Sequence, residues 1–144
     1  MSTYSIGDWV VHANYGVGEV RSVETRTISG DEADYYKIKT TDDLFVWVPV
    51  DEDDDQEYLR DLTTPRRIQE VLEVLRNDPK ELPRKSYGRQ TRISKAKGNH
   101  SIIEKARLVR DLWVHRQEKR LGMKERRALQ WATQHLVAEW SLTV

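Results

Sequence analysis

Tyr4-Ser-Ile-Gly-Asp-Trp-Val-Val-His-Ala-Asn-Tyr-Gly-Val-Gly-Glu-Val20 decides the fold class of this 144-residue chain. Gly7-Asp8 is a turn signal, and Asn14 to Gly18 is a second turn with two glycines. Ile6, Trp9 and Val11 are apolar with polar or small residues between them. That alternation is expected of a strand with one buried face. A strand, a tight Gly-rich turn and a second strand open a small, strongly bent β-domain.

The pattern continues outward. Val17, Val20 and Val23 flank a long run ending at Thr27-Ile28, and Ser29-Gly30-Asp31 is a hairpin turn. Tyr36 and Ile38 alternate with Lys37 and Lys39, as in a half-buried strand. Thr41-Asp42-Asp43 turns the chain again, and Leu44-Phe-Val-Trp-Val-Pro-Val50 is an apolar strand. Pro49 marks it as an edge strand or a strand end. Four or five short strands in about fifty residues fit a small Tudor- or SH3-like β-barrel.

Beyond the acidic run Asp51-Glu-Asp-Asp-Asp-Gln-Glu57, closing the β-region, and Tyr58 to Leu62, the chain reads as helical. Thr64 is an N-cap with Pro65 at the first helical position. Ile68, Val71, Leu72 and Leu75 share one face, and Asn77-Asp78-Pro79 stops the helix. Residues 79–100 are polar and basic, with room for one short helix. Ser101 and Glu104 form a capping box that opens a helix bearing Ile102, Ala106, Val109, Leu112 and Trp113. Gly122 ends it. A last helix from about Lys124 to Trp140 points Leu129, Ala132, Leu136, Val137 and Trp140 at a core. The expected class is α+β: a β-barrel followed by an all-α helical bundle.

Formal net charge is zero, but the charges are segregated. Residues 1–62 carry 5 Lys/Arg against 15 Asp/Glu, and residues 63–144 carry 19 against 9. The halves stand at −10 and +10, so the back half suits an anionic partner. The charge boundary and the composition boundary coincide near residue 62. Two domains, 1–62 and 63–144, are expected. There is no cysteine, which excludes disulfides and thiolate metal sites and fits a reducing cytoplasm. No segment approaches the ~20 apolar residues of a membrane span, and the first residues lack the pattern of a signal peptide.

The basic window Arg84-Lys-Ser-Tyr-Gly-Arg-Gln-Thr-Arg-Ile-Ser-Lys-Ala-Lys97 holds six cations, no acid and a central Tyr87. Cations neutralise phosphates, and an aromatic among them can stack on a base or enter a base step. The alternative is a solvated loop with a packed Tyr. The acidic run is no calcium loop, since Gln56 and Leu62 stand where such a loop needs Gly and Glu. His12, His100, His115 and His135 lie at no metal spacing. Gly16-Val-Gly18 precedes strand residues rather than a helix, so it is not a dinucleotide fingerprint. No catalytic constellation is present, and neither enzymatic activity nor a cofactor is expected.

Ile6 to His12, Gly16 to Gly18, Glu24 to Gly30 and Val46 to Val50 resemble the CarD/CdnL family of bacterial RNA polymerase-binding transcription regulators. Leu108 to Trp113, Lys124 to Leu129, Ala132, Leu136 and Glu139 are similar to the last two helices of that family. The same N-terminal module occurs in transcription-repair coupling factors. The resemblance implies a Tudor-like domain that docks on the β-subunit lobe of RNA polymerase by adding its sheet edge there. Arg26 and Trp47 would make the contact, Trp47 standing where some relatives carry Arg. It implies a helical domain touching promoter DNA at the upstream edge of the melted bubble, without reading sequence. Tyr87 would be the minor-groove wedge where relatives carry Trp, beside Arg89, with Arg92 and Arg126 at DNA-contacting positions. The protein would be a cytoplasmic monomer when free, without a membrane contact, joining the nucleoid through polymerase. An adaptor that never contacts DNA is the alternative.

Overall fold

A computed structural model describes residues 4–51, 58–97 and 101–143. Most of the acidic run, 52–57, and His100 lie outside the described residues, as does the Gly98-Asn99 end of the basic region. The chain forms two compact units, Met1–Leu62 and Thr63–Val144. The class is α+β: five strands, then four helices.

In the first unit β1 (Trp9–His12), β2 (Gly16–Ile28), β3 (Asp31–Thr40), β4 (Phe45–Pro49) and β5 (Leu59–Asp61) form one antiparallel sheet in the order β4-β3-β2-β1-β5. Ser29 and Gly30 both take positive φ (53° and 83°), and Ile28 pairs with Asp31. The two-residue turn with two left-handed positions matches the right-handed twist of its flanking strands. An irregularity between Val20 and Ser22 leaves Arg21 extra in β2, which bends the long strand. Before that bend β2 is almost wholly buried, and beyond it the β2–β3 ribbon is mostly exposed. Val10, Val20, Tyr36, Ile38, Val48 and Leu59 form the core.

Two expectations fail here. The sheet is open rather than a closed barrel: among the described residues β4 and β5 stand at opposite edges. The early alternation is also displaced. Ile6 and Trp9 are exposed, while the consecutive Val10 and Val11 are both buried. Ile6 lies in the turn before β1, and within β1 Trp9 alone is exposed while Val10, Val11 and His12 are buried.

The second unit holds α1 (Pro65–Arg76), α2 (Ser86–Lys97), α3 (Ile102–Glu118) and α4 (Met123–Thr143). Thr64 caps α1 by accepting from the Arg67 N–H at 3.2 Å, with Pro65 at the first position. Ser101 caps α3 by accepting from the Ile103 N–H at 3.2 Å, and Glu104 pairs with Arg107. α3 ends at Glu118 with Lys119 as its cap, so Gly122 lies in the connection rather than at the helix end.

α3 is the spine. One side packs Leu108 and Leu112 against Leu82, Ile93, Leu121, Ala128 and Leu129. The other packs Ile102 and Ala106 against Ile68, Val71 and Leu136. Leu108 is fully buried, so its truncation to Ala costs about 2–5 kcal/mol. Val137, expected in the core, is exposed, and so is Trp113. Where the chain enters the unit, the Thr63 N–H donates to Glu139 Oε2 at 2.8 Å and the Thr143 hydroxyl donates to the Thr63 carbonyl at 3.3 Å. No described helix is long and apolar enough to cross a membrane.

Candidate functional site

The first candidate face lies on β2, β3 and β4. Residues two apart along a strand share a face, and the register sets Lys37 opposite both Ser22 and Trp47. Glu24, Arg26, Lys37, Phe45 and Trp47 therefore gather on one side of the sheet. The Arg26 guanidinium lies 4.5 Å from the Trp47 ring centroid, and Lys37 Nζ lies 4.7 Å from that of Phe45. The Trp47 indole N–H donates to Glu24 Oε2 at 3.0 Å. That hydrogen bond, helped by Ser22, Lys37 and Arg26, holds the Glu24 carboxyl below its usual range, so it is anionic at neutral pH.

Trp47 is 36 % exposed on an edge strand, with the Arg26 guanidinium and Lys37 Nζ lying 4.5 and 5.7 Å from its ring centroid. The arrangement combines a sheet edge able to accept another strand with an aromatic and a guanidinium fixed in place by their neighbours. Such an edge recognises an extended segment by backbone pairing, with flanking side chains adding selectivity.

The second candidate face belongs to α2. Tyr87 is 84 % exposed in the first turn of the helix. Gly88 follows it because the chain is crowded there: a Cβ at that position would come within 2.7 Å of the Pro83 side chain. Arg84, Lys85, Lys95 and Lys97 are all exposed around or along the same helix. Arg126 is exposed on α4.

Arg89 and Arg92 are placed differently. Arg89 Nε donates to Glu125 Oε1 at 2.6 Å, and its Nη1 donates to the Pro83 and Arg84 carbonyls at 3.1 and 2.6 Å. Arg92 Nη2 donates to Asp111 Oδ2 at 2.5 Å, and Asp111 also accepts from Arg110 Nε and the Lys80 N–H. Burial pushes both carboxyls up. For Asp111 the bonds from Arg110, Lys80 and Arg92 outweigh it, and for Glu125 those from Arg89 do, so both lie below the usual carboxylate range. The two arginines brace α2 against α3 and α4 rather than standing free toward solvent. Of the six cations in the basic window, two are therefore committed to carboxylates within the unit.

Sequence reasoning passed over these carboxylates, yet a signal was present. Asp111 falls on the apolar stripe of α3 beside Leu108 and Leu112, and Glu125 falls beside Ala128 and Leu129 on α4. A carboxylate at a core position demands a cation, and the basic window supplies one to each. Among the described residues no group of three His, Cys, Asp or Glu is placed to hold a metal ion.

Comparison with known proteins returns two family models in tandem. That of the CarD-like/TRCF RID domain matches residues 4–62, and that of the CarD C-terminal domain matches residues 70–144. The transcription-repair-coupling factor of Staphylococcus aureus (strain USA300) is 32 % identical over 115 residues, 78 % of this chain and 8 % of that protein. The Staphylococcus epidermidis protein of the same name is 44 % identical over 52 residues, 35 % of this chain and 4 % of its own length. The chain thus spans less than about a tenth of the curated relatives it matches.

Proposed function

The chain belongs to the CarD family, and from that premise we propose that it is a bacterial transcription regulator bridging RNA polymerase and promoter DNA. The sheet unit, taken as Tudor-like, docks β4 on a β-element of the polymerase β-subunit lobe, with Arg26 and Trp47 at the contact. The helical unit lays Tyr87 against the minor groove at the upstream edge of the melted bubble. Arg84, Lys85 and Arg126 attract the phosphates, while Arg89 and Arg92 hold the helix that carries Tyr87. The protein acts without a cofactor, as a monomer when free, in the cytoplasm beside the nucleoid.

The observation that carries this reading is Trp47 on the edge strand β4 with the Arg26 guanidinium of β2 held over its ring, an exposed and pre-ordered anchor of the type enriched at interface hot spots. Tethering through it makes the DNA contact intramolecular, so weak intrinsic DNA affinity suffices. A preference for the melted state of about 1.4 kcal/mol shifts melting about tenfold. No base sequence has to be read, because the form and deformability of the fork are recognised instead.

The deciding experiment measures open-complex half-life with and without the protein, alongside a pull-down with the isolated β-lobe. A lengthened half-life and a retained lobe support the proposal, and failure of both ends it. The internal pairing of Arg89 and Arg92 favours a second reading, a polymerase-binding adaptor whose helical unit meets no DNA. A salt titration on a forked duplex separates the two, since a slope near zero in log affinity against log salt supports the adaptor.

A further inference from the structure

Trp113 is half exposed on α3, four residues after Val109 and three before Arg116, so the three share one stripe. With Leu121, Leu129 and Arg126 they help line an apolar groove of about 430 Å³ between α3 and α4. A large indole on a face that its own unit leaves uncovered is the kind of patch that marks an interaction site.

The groove's chemistry selects its occupant. Its floor is Val109, Trp113, Leu121 and Leu129, its cations are Arg116 and Arg126, and no carboxylate lines it. The Arg116 guanidinium lies 4.2 Å from the Trp113 ring centroid. The cation–π contact pre-orders that guanidinium at low entropic cost, ready for a carboxylate arriving from outside. Val109 to Arg116 spans two helical turns, about 10 Å, enough for two turns of a partner helix. Nucleic acid would meet the arginines but has no aliphatic side chain to fill the floor. We propose that this groove binds an acidic protein segment that inserts an apolar side chain against Trp113 while its carboxylates pair with Arg116. This partner is additional to polymerase and promoter DNA, and the proposal does not depend on either.

The test uses the full chain and fluorescein-labelled peptides of about twelve residues, each with a central Leu or Phe flanked by Glu and Asp. A matched set has Lys in place of every acid. Anisotropy measures binding, and nitrogen–proton correlation spectra follow the Trp113 indole N–H. The acidic set is expected to shift that resonance and to bind at least about tenfold more tightly than the Lys set. Trp113→Ala and Arg116→Glu should each weaken binding about tenfold or more, with forked-duplex affinity unchanged in Trp113→Ala. Arg116 keeps the test decisive if the Trp113 variant misfolds. Absence of binding by the acidic set overturns the proposal, as does equal binding by the Lys set or indifference to both substitutions. So does a forked duplex that shifts the same indole resonance and displaces the peptide.

Discussion

Arg26 and Trp47, 21 residues apart on β2 and β4, are in contact, the guanidinium over the indole ring at 4.5 Å from its centroid. β3 lies between their strands, with Ala33 opposite Arg26 and Lys37 opposite Trp47, so the two long side chains meet diagonally across it. Glu24 holds the pair from the side, through the Trp47 N–H at 3.0 Å and Arg26 at 3.7 Å.

Trp47→Ala is therefore expected to weaken binding to the polymerase β-lobe by about 2 kcal/mol or more, roughly thirtyfold. Arg26→Glu should weaken it as well, because it reverses a fixed charge. Calorimetric titration of the lobe reads both. Unchanged affinity in the two variants would move the docking face elsewhere on the sheet.

Tyr87→Ala removes a side chain with almost no internal contact, so thermal stability should stay within about 0.5 kcal/mol of the parent. Affinity for a forked duplex should fall by roughly 1–3 kcal/mol, and open-complex lifetime should shorten. If lifetime holds steady, Tyr87 has no part in the mechanism.

Arg92→Ala should behave in the opposite way. It takes one charged hydrogen bond from the buried Asp111, whose bonds from Arg110 and Lys80 remain, and costs about 1.5–3 kcal/mol of stability. Asp111→Ala leaves two guanidiniums without their carboxylate and costs about 3–5 kcal/mol. Urea titration measures these losses. The salt slope for DNA separates a brace from a phosphate contact: a brace leaves it unchanged, whereas a lost phosphate contact lowers it by about 1.

Acid should loosen the helical unit. Asp111 and Glu125 titrate below the ordinary carboxylate range when folded, so the unfolded chain binds more protons just below pH ~4. Their contribution is complete above that pH and is lost as pH falls through the folded values. The stability of the parent should drop more steeply as pH falls below about 4 than that of Asp111→Asn. Parallel curves by circular dichroism would show that Asp111 contributes no such linkage.

Much of the fold was legible because turn chemistry is local. Ser29-Gly30, Thr64-Pro65 and Asn77 to Pro79 each act through their own backbone, and the elements they bound stand close to where they were expected. Pro49 likewise marked β4 as an edge. What depends on distant partners was harder to read. Strand alternation at Ile6 and Trp9 misled because Ile6 belongs to the turn before β1, and burial within β1 runs unbroken from Val10 to His12. Trp113 and Val137 are apolar but face outward, which periodicity alone cannot distinguish from core.

The candidate site divides along the same line. Arg26 and Trp47 come together across β3, the strand between theirs. Tyr87 is exposed in the first turn of a helix that the sequence left unbounded. Arg89 and Arg92 looked like free cations because their carboxylates lie 36 and 19 residues further along the chain. The clue was a pair of acids on apolar stripes, legible only when the charge balance of the core is read together with that of the surface.

The clasp at Thr63 has a practical corollary. Glu139 and Thr143 grip the residue at which the helical unit begins, so that unit starts and finishes at one spot. Deleting the final half-turn of α4 should unfasten its opening segment too. Conversely, a short splice joining the two ends of the 63–143 fragment, with new termini opened elsewhere, should leave its packing whole.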